Sequence, residues 1–312
     1  MTPTGNLCRL TPVQEFLQQL INGLSLGAIY ALIALGYSMV YGLLKFINFA
    51  HGDVLMIGAF AGFYATPVAR QLFPDPWMTT AVVLIWAMIV CAMLGVIIEL
   101  LAYRPLRNQP KLAVLITSIG VSLLLSYGGQ ILFGVNQKAF PDLLPPIRFA
   151  LGQGVTISGN HLLVIAVTLV LLVSLREIVL RTRFGLALRA LSQNRDAAAL
   201  MGVNSNAVIS LTFAVGSALA GAAGVLYAMN IHSIEPLMGT QPGIKAFVAA
   251  VLGGIGSLPG AAVGGLLLGL SECLLGGSFL SSYRDAIAFG ILIVILLIRP
   301  SGLFGSSAAE KV

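Results

Sequence analysis

The apolar stretch at residues 243–272 constrains the fold of this chain more than any other part of its sequence. It carries a single charge, Lys245, before it ends at Glu272, which is typical of a segment inside a lipid bilayer. Its interior, however, is rich in residues that loosen or break a helix. These residues are Gly253, Gly254, Gly256, Ser257, Pro259 and Gly260. Because lipid cannot satisfy free backbone groups, a break at membrane depth has to be covered by protein or line a cavity.

We therefore predict that residues 243–272 form two helical arms that meet at a hinge over 253–260. Each arm has about a dozen residues, or roughly 20 Å of helix, which is too short to cross a hydrocarbon core of about 30 Å. Broken helices of this kind form binding and gating regions in transporters.

The composition places the rest of the chain in a membrane as well. Of the 312 residues, 58% are hydrophobic and 9% are charged, whereas about 25% of the residues of a soluble domain are charged. The net charge of +6 does not indicate a nucleic-acid partner, because the basic residues cluster in two short loops between apolar runs. The sequence has no P-loop motif, so ATP-driven transport would need another subunit to hydrolyse the nucleotide.

The apolar runs predict an all-α, polytopic transmembrane bundle in one domain, residues 1–312. About seven or eight membrane segments are expected, including the broken ones at about 45–54 and 243–272. The two halves resemble each other loosely, since each has a glycine-rich apolar run, a hinge, and a second run with a GxxxG spacing that favours close helix packing. The predicted segments are 16–44, 54–69, 78–102, 112–134, 161–175, 206–227, 243–272 and 286–298.

The basic loops predict the orientation of the bundle. Residues 103–111 and 176–195 are rich in lysine and arginine, and both should face the cytoplasm. Placing Arg299 on the same side requires that residues 243–272 enter and leave the membrane from one side as a hairpin. The same count of membrane crossings places the N-terminus outside the cytoplasm.

Polar residues at 45–53 form a first hinge between two apolar runs. Asn48, His51 and Gly52 are candidates for the lining of a translocation path, since polar groups inside a membrane domain indicate function. Asn48 could instead cap the following helix or bond to another helix, and His51 has no partner at metal-ligand spacing. The two charged residues of this hinge are expected near the membrane interface, where long side chains reach water. They are Lys45 and Asp53.

The arginine-rich loop at about 181–204 is a second candidate site. Its leucine and alanine spacing predicts one or two short amphipathic helices at the cytoplasmic face. Charge alone would also fit a solvated loop that only sets the orientation, and the alternative is a docking helix for a cytoplasmic partner. Gly185 and Gly202, which flank an arginine- and alanine-containing core, favour a defined helix.

Two other functions have weaker support in the sequence. A stand-alone secondary transporter or channel would couple an ion through carboxylates in the membrane, for which Glu99 and Glu272 are the candidates, and both are predicted near span ends. Residues 23–27 match the GxSxG pattern of serine hydrolases. That pattern needs a strand-turn-helix context, and the run lies inside an apolar helix.

Five segments carry longer and more specific motifs. They are 22–37 (NGLSLGAIYALIALGY), 47–52 (INFAHG), 103–107 (YRPLR), the loop 185–202, and 245–265 with its GGIGSLPG centre. Together these segments closely resemble the permease subunits of the leucine/isoleucine/valine family of bacterial ABC transporters. The resemblance covers nearly the whole chain.

The resemblance implies import of branched-chain or other neutral amino acids through the bacterial inner membrane, after delivery by a periplasmic binding protein. A second homologous permease and two cytoplasmic ATPase subunits would be the other partners. ATP and Mg would bind to those ATPases, so that this chain would hold no cofactor or metal and have no catalytic residue. Similar permeases serve urea or short amides, which is the alternative substrate class.

The loop at 181–204 matches the family's coupling loop, which docks on an ATPase. The coupling residues that the match implies are Gly185, Arg189, Ala190, Asn194, Ala198 and Gly202. The expected path runs between two permeases and is lined by the hinges at 45–53 and 253–260. The positive N-terminal end of a half-helix could meet the carboxylate of an amino acid, and the backbone of 253–260 is the predicted place.

Overall fold

The computed structural model describes residues 12–107, 109–150, 155–276, 283–299 and 301–305. Residues 1–11, for which the sequence suggests no role, lie outside the described residues. The described chain is almost entirely helical, which confirms the predicted all-α bundle. Its α-helices are α1 (Pro12–Leu44), α2 (His51–Leu72), α3 (Pro76–Ile98), α4 (Lys111–Phe133), α5 (Gly159–Arg181), α6 (Arg183–Gln193), α7 (Arg195–Leu200), α8 (Ser205–Ile231), α9 (Thr240–Gly253), α10 (Leu258–Gly276) and α11 (Arg284–Ile298).

Seven of these helices are long and apolar enough to cross a membrane, in agreement with the predicted count. They are α1, α2, α3 with its continuation, α4, α5, α8 and α10. Helix α3 continues into a π-helical turn (Glu99–Tyr103) and a 3-10 turn (Arg104–Leu106). Helices α9 and α11 are shorter, with 14 and 15 residues.

Helix α1 is the centre of the bundle, and α5, α8, α9 and α10 pack around it. All of its residues from 27 to 40 are buried. Its closest approach is to α10, where a Cβ atom on Gly269 would lie 2.2 Å from the backbone nitrogen of Gly27. Likewise, a Cβ on Gly58 of α2 would lie 2.6 Å from the Gly221 Cα of α8. These contacts confirm that the GxxxG spacings mark helix packing, because only glycine lets the backbones come so close.

Helices α9 and α10 form the predicted hairpin, and they pack against each other on either side of a turn at 254–257. The first arm, α9, is as short as expected. The prediction that both arms are too short to cross a membrane is wrong for α10, which has 19 residues. Gly264 and Gly265 do not end this helix, since they lie against the backbones of α9 and α1 and are stabilised by that packing.

The two ends of the bundle differ in character. The two basic loops lie at the same end, as predicted, because the Arg107 guanidinium donates a 2.6 Å hydrogen bond to Asn206 at the start of α8. The opposite end carries two small antiparallel ladders. These pair β1 (Lys138–Ala139) with β4 (Ser233–Ile234), and β2 (Arg148–Ala150) with β3 (Thr156–Ser158). The start of α1 is at this second end, where Gln18 accepts a hydrogen bond from the Thr156 backbone N–H.

Candidate functional site

A cavity of about 320 Å³ lies at the basic end of the bundle, where three regions identified in the sequence meet. The end of α1 and Lys45 of the first hinge form one wall. The turn of the α9–α10 hairpin forms another, and α6 of the arginine-rich loop forms the third. The polar residues that line the cavity are Ser38, Lys45, Arg189, Ser192 and Ser257.

The second hinge, 253–260, folds into a tight turn at this cavity. Gly254 and Gly256 have φ angles of 103° and 91°, a left-handed region that favours glycine. Gly253 and Gly260 bring the two arms together, since a Cβ on Gly253 would lie 1.9 Å from the Gly260 carbonyl oxygen. Gly256 and Ser257 line the cavity, whereas Pro259 is exposed on the outer side. The glycine cluster that indicated a hinge therefore serves first to make the hairpin possible.

The chain after α11 returns to this turn and caps α9. The backbone N–H groups of Leu303 and Phe304 donate hydrogen bonds of 2.9 and 3.0 Å to the carbonyl oxygens of Leu252 and Gly253. Carbonyls in the last turn of a helix have no partner within the helix, so this contact satisfies two of them. The C-terminal segment thus joins the hinge to the cavity wall that Phe304 and Gly305 form.

The first hinge begins directly after α1 at Lys45, which has a φ of 56°. The segment then returns into the bundle, where Asn48 is buried and accepts a 2.6 Å hydrogen bond from the Tyr103 hydroxyl. Helix α2 starts after Ala50 with no side-chain cap. Of the alternatives for Asn48, the structure therefore shows the bond to another helix and not the helix cap.

His51 and Gly52 begin α2 deep within the bundle. The His51 ring is buried, packs at 4.6 Å between ring centroids on Tyr37, and has no hydrogen-bond partner for Nε2 in the described part of the chain. Gly52 is in backbone contact with the start of α9, because a Cβ on Gly239 would lie 2.0 Å from the Gly52 carbonyl oxygen. His51 and Gly52 of the first hinge therefore lie at the start of α9, whereas Lys45 of the same hinge lies at the cavity with the second hinge, at the other end of this helix.

The expectation for Asp53 is wrong, because this residue is buried and not at an interface. Its carboxylate accepts hydrogen bonds from the hydroxyl groups of Ser122 and Ser126 on α4. A buried charge needs such donors to offset the loss of water. Lys45, in contrast, is exposed as expected.

The arginine-rich loop forms two amphipathic helices, α6 and α7, as predicted. Thr182 and Asn194 cap them by accepting bonds from the backbone N–H groups of Gly185 and Ala197. Gly185 packs so closely on α5 that a Cβ would lie 2.1 Å from the Val179 carbonyl oxygen. A loose solvated loop is therefore not what the structure shows.

The predicted coupling residues lie mainly on the side of this loop that packs on the bundle. Arg189 donates to the Val179 carbonyl and lines the cavity, and Ala198 is buried. Asn194 is the α7 cap, Ala190 is half-buried, and Gly202 ends the loop with a φ of 84°. The exposed side carries apolar residues that the sequence analysis did not select. These are Leu186, Leu200 and Met201, whose exposed fractions are 63%, 89% and 84%.

Two buried ion-pair clusters were also missed. Glu99 accepts from the Arg107 guanidinium and from the Ser210 hydroxyl. Glu272 lies 2.8 Å from the Lys245 ammonium and accepts a 2.9 Å bond from the Tyr30 hydroxyl. A stand-alone transporter would use these two carboxylates to couple an ion, and the structure gives that alternative no support, since each carboxylate is paired with a basic residue.

Within the described residues, no three His, Cys, Asp or Glu side chains are grouped so that they could hold a metal ion. Ser25 of the GxSxG run is buried in the middle of α1, in a helix and not in a strand-turn-helix.

The sequence was compared with known proteins. Residues 19–296 match the family described as branched-chain amino acid transport system / permease component. The high-affinity branched-chain amino acid transport system permease protein BraD of Pseudomonas aeruginosa is 44% identical over 306 residues, which cover 96% of this chain and 99% of the relative. The LivH protein of Escherichia coli K12, named in the same way, is 39% identical over 302 residues, or 95% and 98% of the two chains. A probable LivH permease of Methanocaldococcus jannaschii is 29% identical over 88% of each chain. No solved structure matches the chain.

Proposed function

The chain belongs to the family of branched-chain amino acid transport permeases, and from this membership and its fold we infer that it is a membrane-spanning subunit of an ABC importer for branched-chain amino acids. It is a multi-pass protein of the inner membrane, with seven helices in the described part of the chain that are long enough to span. Its relatives are named as permease proteins, so its role is transport.

We propose further that the complete importer contains a second homologous permease, two cytoplasmic ATPases and a periplasmic binding protein. ATP and Mg would bind to the ATPases, and this chain would pass on the resulting motion. The sequence supports this division of labour because it has no P-loop of its own.

The proposal that this chain is coupled to an ATPase rests on the exposed surface of α6 and α7. Helix α6 is fixed to the bundle by its buried Gly185, Leu188 and Leu191, and α7 by its buried Ala198, so that a force on the loop reaches α5 and the cavity. Leu200 and Met201 lie next to each other at the end of α7, and large apolar residues that are this exposed indicate a protein contact. We propose that this apolar surface docks on an ATPase.

For the translocation path we propose a route along α9, from His51 and Gly52 of the first hinge to the second hinge. The buried start of α2 at His51 and Gly52 supports the inner part of this route, since a helix N-terminus favours a carboxylate. The second hinge, at the end of α9 and at the basic end of the bundle, supports a cytoplasmic exit there. Asn48 would position the first hinge through its bond to Tyr103.

Affinity purification of the tagged chain from mild detergent tests the proposal. We expect a second permease and ATPase activity to co-purify with the wild-type chain. The Leu200→Ser/Met201→Ser variant should lose most of the ATPase activity but keep the second permease. Val135→Ser is the matched control, because Val135 is also exposed, at 70%, but lies at the opposite end of the bundle.

Two results would contradict the proposal. If the intact chain purifies alone and transports amino acids in liposomes without ATPases, it works as a secondary transporter or channel. If the double variant retains all of the ATPase activity, the docking surface lies elsewhere.

A further inference from the structure

The cavity at the basic end has the chemistry of an anion-binding site. Lys45 and Arg189 bring two cations to it, and none of the described residues that line it is acidic. The Ser38 hydroxyl lies in its wall, 99% buried, and has no hydrogen-bond partner in the described part of the chain. An unsatisfied buried hydroxyl is costly unless a ligand or water bonds to it.

The backbone around the cavity adds a further positive contribution. Helix α10 begins at Leu258 in its wall, and the partial positive charge of a helix N-terminus favours an anion. The end of α1 opposes this with its negative C-terminus. However, the Tyr41 carbonyl there already accepts a 2.8 Å bond from the Lys45 backbone N–H.

An apolar groove of about 250 Å³ adjoins the cavity, and Val179 and Leu258 line both. It runs between α1, α5 and α10, and Arg176 is the charged residue among its lining side chains. Leu180 is 51% exposed and Pro259 is also exposed, so the groove opens on the outer surface of the bundle. The aliphatic residues that line it include Leu35, Leu172, Leu175 and Ala262.

A polar, cationic cavity joined to an apolar groove fits an amphiphile and not a free anion. We propose that an anionic phospholipid binds here, with its headgroup phosphate between Lys45 and Arg189 and one acyl chain in the groove. Basic pockets between transmembrane helices on the cytoplasmic side bind anionic headgroups in this way. The assignment to the cytoplasmic leaflet rests on the proposed function, whereas the binding of the lipid does not.

The position of the site gives the lipid a structural role. The cavity separates Arg189 of the coupling loop from Ser257 of the hairpin turn, so a headgroup there would contact both. The phospholipid would then be a component through which movement of α6 reaches the second hinge.

Native mass spectrometry of the full-length chain in mild detergent tests this inference. Dioleoyl-phosphatidylglycerol and dioleoyl-phosphatidylcholine would be added in separate titrations, with inorganic phosphate as a competitor. We expect phosphatidylglycerol to bind at lower concentration than phosphatidylcholine, and phosphate to compete poorly because it leaves the groove empty. Equal binding of the two lipids would overturn the proposal, and strong competition by phosphate would indicate a free-anion site instead.

The Lys45→Gln/Arg189→Gln variant tests whether the two cations bind the headgroup. Each basic residue near an anionic lipid contributes roughly a five-fold gain in affinity, so binding of phosphatidylglycerol should weaken by up to about 30-fold. Arg183→Gln is the matched control, because Arg183 is on the same helix but does not line the cavity. Unchanged binding by the double variant, or an equal loss in the control, would contradict the site.

A second variant keeps the test valid if the first one misfolds. Ala262→Phe fills part of the groove without altering the cations, and it should reduce the binding of dioleoyl lipid more than that of a short-chain phosphatidylglycerol. A variant that binds both equally well would overturn the acyl-chain assignment. Failure of the ATPases to co-purify, by contrast, would contradict the proposed function and leave the lipid result standing.

Discussion

The ammonium group of Lys245 lies 2.8 Å from a carboxylate oxygen of Glu272, and both side chains are almost completely buried. This pair joins the two arms of the α9–α10 hairpin. Asp285 at the start of α11 approaches the same ammonium at 2.7 Å, so one lysine pairs with carboxylates on two helices. The hairpin and the last helix are therefore held in register by charge as well as by packing.

Lys245→Met should destabilise the protein by about 3–5 kcal/mol, because it leaves a carboxylate buried without its cation. The Lys245→Met/Glu272→Leu variant should recover much of this loss, since it removes both buried charges and leaves the half-exposed Asp285, which water can solvate. Thermal unfolding in detergent, followed by intrinsic fluorescence, measures the effect. Arg181→Gln is the control, because the Arg181–Glu177 pair is exposed and contributes at most about 1 kcal/mol. A double variant as unstable as Lys245→Met would show that the pair is not the cause.

Gly239→Ala should abolish uptake, because its Cβ would lie 2.0 Å from the Gly52 carbonyl and would separate α2 from α9. Gly120→Ala in α4 is the control. No atom of the described residues lies within 4 Å of a Cβ at Gly120, so alanine there should be neutral or stabilising by about 0.5–1 kcal/mol. Uptake of radiolabelled leucine is measured at matched amounts of protein in the membrane. Normal uptake by the Gly239 variant would mean that the two helix starts need not touch.

Variants of the hydrogen-bonded pair Tyr103 and Asn48 test whether Asn48 positions the first hinge or contacts the substrate. Asn48→Ala leaves the buried tyrosine hydroxyl without this partner and should cost about 1–3 kcal/mol. Tyr103→Phe should lower both stability and uptake in the same way. If Asn48 only positions the hinge, Asn48→Leu/Tyr103→Phe should restore stability and uptake together. A stable double variant that does not transport would instead assign Asn48 to the substrate path.

The hairpin and the coupling helices could be predicted from the sequence because their signals are local. Glycine and proline clusters mark turns, and the leucine spacing of 181–204 marks amphipathic helices. The length of α10 could not be predicted in the same way. The sequence placed the second arm between the hinge at 253–260 and Glu272, whereas the structure begins α10 at Leu258 and continues it to Gly276, with Gly265 and Gly269 packed against the backbone of α1.

The buried ion pairs were missed because they depend on how helices rotate against one another. Lys245 and Glu272 are 27 residues apart, and spacing along a chain does not show which faces of two helices meet. A lone lysine and a lone glutamate in one apolar hairpin were the available signal. Leu200 and Met201 were missed for a related reason, since an apolar residue in a loop indicates docking only when its exposure is known.

The orientation of the bundle gives a final prediction. The two basic loops share one end, and the strands of 138–158 lie at the other. Because lysine and arginine favour cytoplasmic loops, a cysteine at Met201 should face the cytoplasm and one at Val135 the periplasm. We expect a membrane-impermeant maleimide to label Val135→Cys in intact spheroplasts, and Met201→Cys only after the membrane is opened. Both positions are highly exposed, so a difference in labelling reports the side of the membrane and not burial. The parent chain measures the background labelling of its own cysteines. The reverse pattern of labelling would show that the bundle has the opposite orientation, with α6 and α7 out of reach of any cytoplasmic ATPase.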